Sequence, residues 1–500
     1  MTLAGLLDRS VAAHPQRVAL ETVAGESLRY DQLDEATRKV ASALAGHGVG
    51  PGDRVGLVLP KSPASVASLF GVQRAGAAHV PVDAAAPLDR NATILGDCEV
   101  TVALAERGRH LDLAEALGAR VHEPDGLPDG LVLLDLPGTA PRGDASLAYI
   151  LSTSGSTGRP KGVMITQTNA LSFVDWCERT LPRAPEDRCS SHAPFHFDLS
   201  VLDLYLTLGS GACLLLVDEA TGKQPRALAP LIAERRLTSV YATPSVLGLL
   251  AQHGRLERHD YGALRQVLFA GEVFPVRTLR ALTEAWADAR FWNLYGPTET
   301  NVCTAYEVSV PLPVERDQPM PIGAACDHCQ ARVADENGAD VPPGDEGELL
   351  VHGAPVTPGY WKLPERTAAA FVDDDAGRAW YRTGDIVRAT DEGYVYVGRR
   401  DRMVKRRGHR VELGEVEARL QRHPDLAEVA VVALPDEGDG LRLLAHAIWH
   451  DGRAPSPIEL KRFCAEHLPS AMVPDAFRHH DALPRTSTDK IDHESLRRMA

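Results

Sequence analysis

The chain has 500 residues, 44% of them hydrophobic, which is enough to bury large cores and to build more than one domain. A net charge of −15 and the lack of any long Lys/Arg run argue against a nucleic-acid partner. No apolar run is long enough to span a membrane, and the eight scattered cysteines fit a reducing cytoplasm better than a disulfide framework.

The N-terminus, MTLAGLLDRSVAAHP, has no basic leader, and Asp8 and Arg9 interrupt its apolar run, so it does not read as a signal peptide. Asp31 is placed to cap a helix whose apolar positions Leu33, Ala36, Val40 and Leu44 share a face and which ends near Gly46 and Gly48. Residues 53–60 then read as a strand, 62–76 as a helix and 77–82 as a strand, a β-α-β unit. The same alternation returns in TSVYATP, the helical stretch 245–252 and LRQVLFAG, and it predicts sheets covered by helices. From about residue 330 short strands alternate with Gly/Asp turns, which predicts a β-rich part at about 330–400. After GRRD (398–401) the pattern restarts as helix 413–421, strands 426–434 and 442–449, helix 457–467 and strand 475–482. The fold class is therefore α/β: a large N-terminal domain (1–400) of helix-covered sheets plus a β-rich subdomain, followed by a smaller α+β C-terminal domain (401–500). The charged junction Arg399-Arg400-Asp401-Arg402 is a plausible hinge between them, which would make the smaller domain mobile.

Two clusters invite a metal reading. Cys326-Asp-His-Cys329 has no second, similarly spaced pair to complete a structural zinc site, so an ordinary loop is the better reading. His192 and His196 lie in the apolar stretch HAPFH and read as pocket wall or core rather than as ligands.

The segment LSTSGSTGRPKGV (151–163) packs five hydroxyls, three glycines, one arginine and one lysine into thirteen residues. Glycines let backbone N–H groups approach an anion, hydroxyls donate hydrogen bonds and lysine adds charge, a composition suited to polyphosphate. It is not a Walker loop, because Lys161 lies between Pro160 and Gly162. Read alone, the segment also fits a flexible linker. Its companions are NLYGPTET (293–300), YRTGD (381–385), GRRDRMVKRRGHRVELGEVE (398–417) and PRTSTDKID (484–492), in that order. YRTGD alone would read as a tight turn with Asp385 as a cap, and Lys490, ten residues from the C-terminus, as an ordinary solvated lysine.

Together the five segments resemble the adenylate-forming superfamily: acyl-CoA synthetases, luciferases and the adenylation domains of nonribosomal peptide synthetases. The resemblance covers essentially the whole chain, with Ser152 standing where the family often has Tyr. It implies ATP and Mg²⁺ as cofactors, with Thr153, Ser154, Gly155, Ser156, Thr157, Gly158 and Lys161 forming the loop over the phosphates. Gly271 and Glu272 would lie on one adenine face, Tyr295 on the other and Asn293 at the exocyclic amine. Asp385, helped by Arg399, would take the ribose hydroxyls; Thr298 would contact the α-phosphate and Glu299 would hold the metal. Lys490 would be the catalytic cation at the substrate carboxylate, Asp401 the hinge, and Gly408 the place where a pantetheine arm passes close to the backbone.

The same resemblance points to the acid that is activated. Asp198 in FDLSVLDLY matches the aspartate that holds an α-amino group, although a helix N-cap is an equally physical reading of it. The other implied pocket positions are Leu199, Leu202, Tyr241, Leu268, Ala270, Leu294, Val302 and Cys303, all uncharged and nearly all apolar, so the side chain should be small and without charge. As a specificity set they resemble stand-alone L-proline adenylating enzymes of pyrrole-forming pathways. The expectation is therefore L-proline activation and delivery in trans to the phosphopantetheine thiol of a separate carrier protein, because no carrier segment follows Lys490. The alternatives are another small apolar amino acid, an acyl-CoA ligase, or a nucleotide-binding regulator.

Overall fold

The computed structural model describes residues 2–108, 110–138, 140–153, 160–400, 402–436, 440–450, 455–485 and 491–499. The chain divides into two compact units: Met1–Ala84 with Ile94–Ser152 and Gly162–Arg400, and Ala85–Thr93 with Thr153–Lys161 and Asp401–Ala500. No described helix is long and apolar enough to cross a membrane.

The first unit is built on two large sheets and a smaller one. Among the described residues one large sheet has nine strands and the other eight. The β-α-β unit read from the sequence is present: strand Arg54–Val58, helix Pro63–Arg74 and strand Ala78–Pro81, with the two strands parallel. Ser62 caps the helix by accepting from the Ser65 N–H, and Pro63 fits the first helical position, where its missing N–H costs nothing. The nine-stranded sheet carries the second repeat. Ser239–Ala242, Gln266–Ala270 and Arg290–Tyr295 run parallel side by side, with helix Pro244–His253 between the first two. The residues from 330 onward form an antiparallel five-stranded sheet whose long strand Ala379–Thr390 pairs with both Glu346–Gly353 and Gly393–Arg399.

One local expectation is corrected. Helix Tyr30–Gly46 is capped at Arg29, two residues before Asp31, with the Gln32 side chain accepting from the Arg29 N–H. Asp31 instead lies in the first turn and accepts from the Arg29 guanidinium and the Gln32 N–H. A carboxylate near a helix N-terminus is stabilising whether or not it is the cap, so sequence position alone does not separate the two roles. Leu33, Val40 and Leu44 are buried as the spacing requires.

The second unit pairs strands Leu426–Pro435 and Leu441–Trp449 antiparallel, and Ala476–His479 joins parallel to the latter. Helices Leu413–Leu420 and Pro457–Ala465 bury Val416, Leu420, Leu460 and Cys464 against Val431 and Leu443. Gly408, at φ +80°, makes the turn between Met403–Arg406 and His409–Glu412. The fully buried Arg406 anchors that turn by donating to the carbonyls of Leu441, Ala471 and Val473 and to Asp475.

Candidate active site

The pocket residues come from strand ends, and the period of two sorts them by face. Strand register sets Tyr241 beside Leu268 and Ala270 beside Leu294. These four pack in one core cluster with Leu199, Leu202 and Val302. Their neighbours Val240, Ala242, Val267, Phe269 and Phe291 pack in a separate cluster on the other face. Cys303 parts from the set. Next to Val302 in the bend that precedes strand Thr304–Val308, it is buried with Tyr295, Ile322 and Leu349. Its carbonyl accepts from the Cys326 N–H at 2.9 Å and from the Cys329 thiol at 3.2 Å.

Asp198 opens the helical stretch Leu199–Gly209, whose middle, Leu202–Leu206, is a π-helical turn. Its side chain makes no capping bond; one oxygen accepts instead from the Thr298 hydroxyl. Thr298 and Glu299 follow strand Arg290–Tyr295 through Gly296-Pro297, so a residue expected at the nucleotide touches a residue expected at the amino acid. Buried Tyr241 faces Asp198 and Asp203, and burial first, then both carboxylates, pushes its phenol well above the ordinary range.

Glu299 is fully buried. Its Oε1 accepts from the Tyr360 hydroxyl at 2.9 Å, and its carbonyl accepts from the Thr357 N–H at 2.7 Å. Tyr360 was not among the expected residues. It reaches this position because Tyr360 pairs with Val163 on the strand Lys161–Thr166, a long-range pairing with no local sequence signal.

Asp385 is 1% exposed and sits within a strand, where YRTGD alone suggests a turn. It faces Arg399 in register, and the guanidinium donates to Oδ1 at 2.6 Å while the Tyr295 hydroxyl donates to Oδ2. Burial, then the Asp385 charge, holds the Tyr295 phenol protonated well above its usual range. The Asn293 side-chain amide donates to the Pro321 carbonyl at 2.7 Å, which orients it. Gly271 has φ +96°, and a Cβ there would meet only Thr243 at 3.9 Å, so backbone conformation rather than crowding requires glycine. Glu272 accepts from the Ser245 N–H at 3.0 Å and from its hydroxyl, placing a carboxylate on the N-terminus of helix Pro244–His253.

Thr153 ends strand Leu147–Thr153 and Lys161 begins strand Lys161–Thr166. Ser154, Gly155, Ser156, Thr157, Gly158, Asp401 and Lys490 lie outside the described residues. Among the described residues the one group of three side chains close enough to hold a metal ion is His423, Asp425 and Glu459, in the second unit; Cys326 and Cys329 belong to no such group.

Tyr295 from the nine-stranded sheet thus meets Asp385 and Arg399 of the five-stranded sheet, and the buried Glu299 follows the Gly296-Pro297 turn. The model for AMP-binding enzymes matches residues 7–361 and that for the AMP-binding enzyme C-terminal domain matches 415–490, and the chain belongs to this family. It is similar to an L-proline–[L-prolyl-carrier protein] ligase of Pseudomonas fluorescens, 41% identical over 98% of this chain and 97% of that one. A second ligase of the same description, from Streptomyces coelicolor, is 39% identical over 97% and 94%. Among solved structures, the Vibrio cholerae adenylation domain AlmE in complex with glycyl-adenosine-5'-phosphate superposes with a TM-score of 0.83 at 25% identity, covering 99% and 97% of the two chains.

Proposed function

We propose that this protein uses ATP to activate L-proline as prolyl-AMP and transfers the prolyl group to the phosphopantetheine thiol of a separate carrier protein, with a pyrrole-2-carboxyl unit as its downstream use. The observation that carries the amino-acid half is Asp198, whose carboxylate ends beside an otherwise apolar group of side chains. An anion in that setting suits a substrate ammonium, and proline offers one beside three ring methylenes while its carboxylate is the group that reacts. Full-length similarity to two proline ligases supports the choice of acid.

In the activation step a proline carboxylate oxygen forms a bond to the α-phosphorus while the bond to the bridging oxygen breaks, and pyrophosphate leaves with that electron pair. Asp198 would hold the ammonium and so aim the carboxylate toward the phosphate. The Asp198–Thr298 hydrogen bond couples that aim to the residue at the α-phosphate. Asp385, pre-oriented by Tyr295 and Arg399, would accept from the ribose hydroxyls. Glu299 fits Mg²⁺: it is a hard, fully buried oxygen donor fixed by Tyr360, and the ion would neutralise phosphate charge. Thr153, Ser154, Gly155, Ser156, Thr157, Gly158 and Lys161 would clasp the leaving pyrophosphate. Lys490, from the C-terminal domain 401–500, would stabilise charge on the transferring phosphoryl group, and turning about Asp401 would then present Gly408 to the pantetheine arm.

The test is pyrophosphate exchange into ATP across an acid panel. Exchange well above background with proline, and far less with alanine, valine and benzoate, is expected; equal exchange with all four would sink the substrate reading.

A further inference from the structure

Between strand Arg188–Ser191 and the helical stretch that starts at Leu199 runs a seven-residue loop, His192–Asp198, which carries the proposed ammonium-binding carboxylate and makes no sheet ladder. Something must fix it, because pocket geometry a fraction of an ångström loose costs rate and affinity. The root of this loop is held in an unusual way. Lys61, just past strand Arg54–Val58, donates from Nζ to the Ser191 carbonyl at 2.6 Å. Asp203 lies on the far side of the same peptide, near the N–H of the very next residue, His192. The Ser191–His192 peptide is thus held at its oxygen by the Lys61 ammonium, with the Asp203 carboxyl close to its nitrogen.

Asp203 is 2% exposed and lies on the π-helical turn Leu202–Leu206, beside Leu202 of the pocket. Its Oδ2 has no hydrogen-bond partner among the described residues, and burial pushes the carboxyl well above the usual carboxylate range against the opposing pull of Lys61 and Arg183. On the other flank, the His192 ring is packed so closely on Gly222 that a Cβ there would come within 2.8 Å of it. The Lys61 ammonium also lies over the Phe195 ring at 5.6 Å, a second hold on the same loop. Burial draws Lys61 down toward neutrality, to about 7, against the opposing pull of Asp203 and Asp218. A buried Lys61 and Asp203 that are themselves neither predicted nucleotide nor predicted substrate ligands call for another purpose, since buried ionisable pairs rarely add net stability.

We propose that Lys61 and Asp203 are positioning residues for the amino-acid pocket: through the Ser191–His192 peptide they lock the Asp198 loop to the π-turn that carries Leu202. The proposal rests on the adenylation reading given above. Lys61 and Asp203 themselves contact no reacting atom; they act through Asp198, Leu202 and the loop between strand and helix.

The experiment is pyrophosphate exchange with proline and ATP varied in turn, on Lys61→Met, Lys61→Arg, Asp203→Asn and the Lys61→Met/Asp203→Asn double variant. Removing the cation should raise KM for proline about tenfold while KM for ATP moves less than about twofold, as expected when only one ligand's site loosens. Lys61→Arg, which keeps a donor and the charge, should recover most of the loss. The double variant should be no worse than the more damaged single one, as for residues of one network. Unchanged proline KM in a folded Lys61→Met protein, equal rises for both substrates, or additive losses would overturn the proposal. Should Lys61→Met fail to fold, Asp203→Asn read against Lys61→Arg decides the same question. Wild-type protein without proline-dependent exchange would instead sink the functional reading, and that control is run first.

Discussion

Replacing Asp198 tests the pocket at its most informative atom. Its carboxylate accepts one hydrogen bond from Thr298 and is proposed to accept another from the substrate ammonium. A hydrogen bond to a charged group contributes about 1.5–3 kcal/mol, so Asp198→Asn should lower kcat/KM for proline about ten- to hundredfold. The asparagine oxygen can still accept from Thr298, so KM for ATP should stay within about twofold of the native value. Asp198→Ala removes both bonds, frees the Thr298 hydroxyl and should add a measurable rise in KM for ATP. Tetrahydrofuran-2-carboxylate, a ring acid without the ammonium, completes the series: the native protein should reject it more strongly than Asp198→Asn does, because it leaves the native carboxylate unpaired. Exchange kinetics with proline, the ring acid and ATP varied separately give all of these values. Equal losses for proline and ATP in Asp198→Asn would refute the assignment of Asp198 to the ammonium.

The Tyr295–Asp385–Arg399 triad gives two further outcomes. Tyr295→Phe removes one hydrogen bond to Asp385 and should raise KM for ATP about three- to tenfold with little change for proline, read by the same exchange assay. Arg399→Met leaves a buried carboxylate without its cation and should cost about 3–5 kcal/mol of stability, seen as a lower urea midpoint; an unchanged midpoint would refute the pairing. Glu272→Gln should lower stability by about 0.3–1 kcal/mol through the helix end it caps, measured the same way. His79 is buried and neutral, its pKa pushed down to about 3. Because that lies below its unfolded value of 6.5, the unfolded chain takes up the proton first, and stability is lost as pH falls from about 6.5 toward 3. The melting temperature of His79→Gln should therefore fall less between pH 7 and pH 5 than that of the native protein.

Much of the fold was legible because it repeats strongly patterned units. The strand–helix–strand run from Arg54 to Pro81 announces itself through Ser62-Pro63 at the helix start and a short apolar strand on each side. The same holds for the division of pocket residues, since alternation along Ser239–Ala242 and Gln266–Ala270 decides which side chains share a face. What was not legible is whatever depends on partners distant in sequence. Tyr360 meets Glu299 only because its strand pairs with Lys161–Thr166, and Asp385 is a strand residue because Arg399 lies across from it. Cys303 reads as one more apolar pocket position, yet a single step along the chain from Val302 takes it into a different cluster. Asp198 is the instructive case: position before a helix suggested a cap, and the structure spends its carboxylate on Thr298 instead. Lys61 and Asp203 carried no motif at all, and the Lys61 hold on the Ser191 carbonyl, with Asp203 near the same peptide, exists only in three dimensions.

The central claim is tested most directly by mass spectrometry of a single turnover. Protein incubated with ATP, Mg²⁺ and L-proline should form prolyl-AMP, and addition of a phosphopantetheinylated carrier protein should move the prolyl group onto its thiol. Lys490→Ala should bind ATP and form neither product. ATP binding by the native protein with no prolyl-AMP, or adenylates formed equally from alanine, valine and benzoate, would contradict the account.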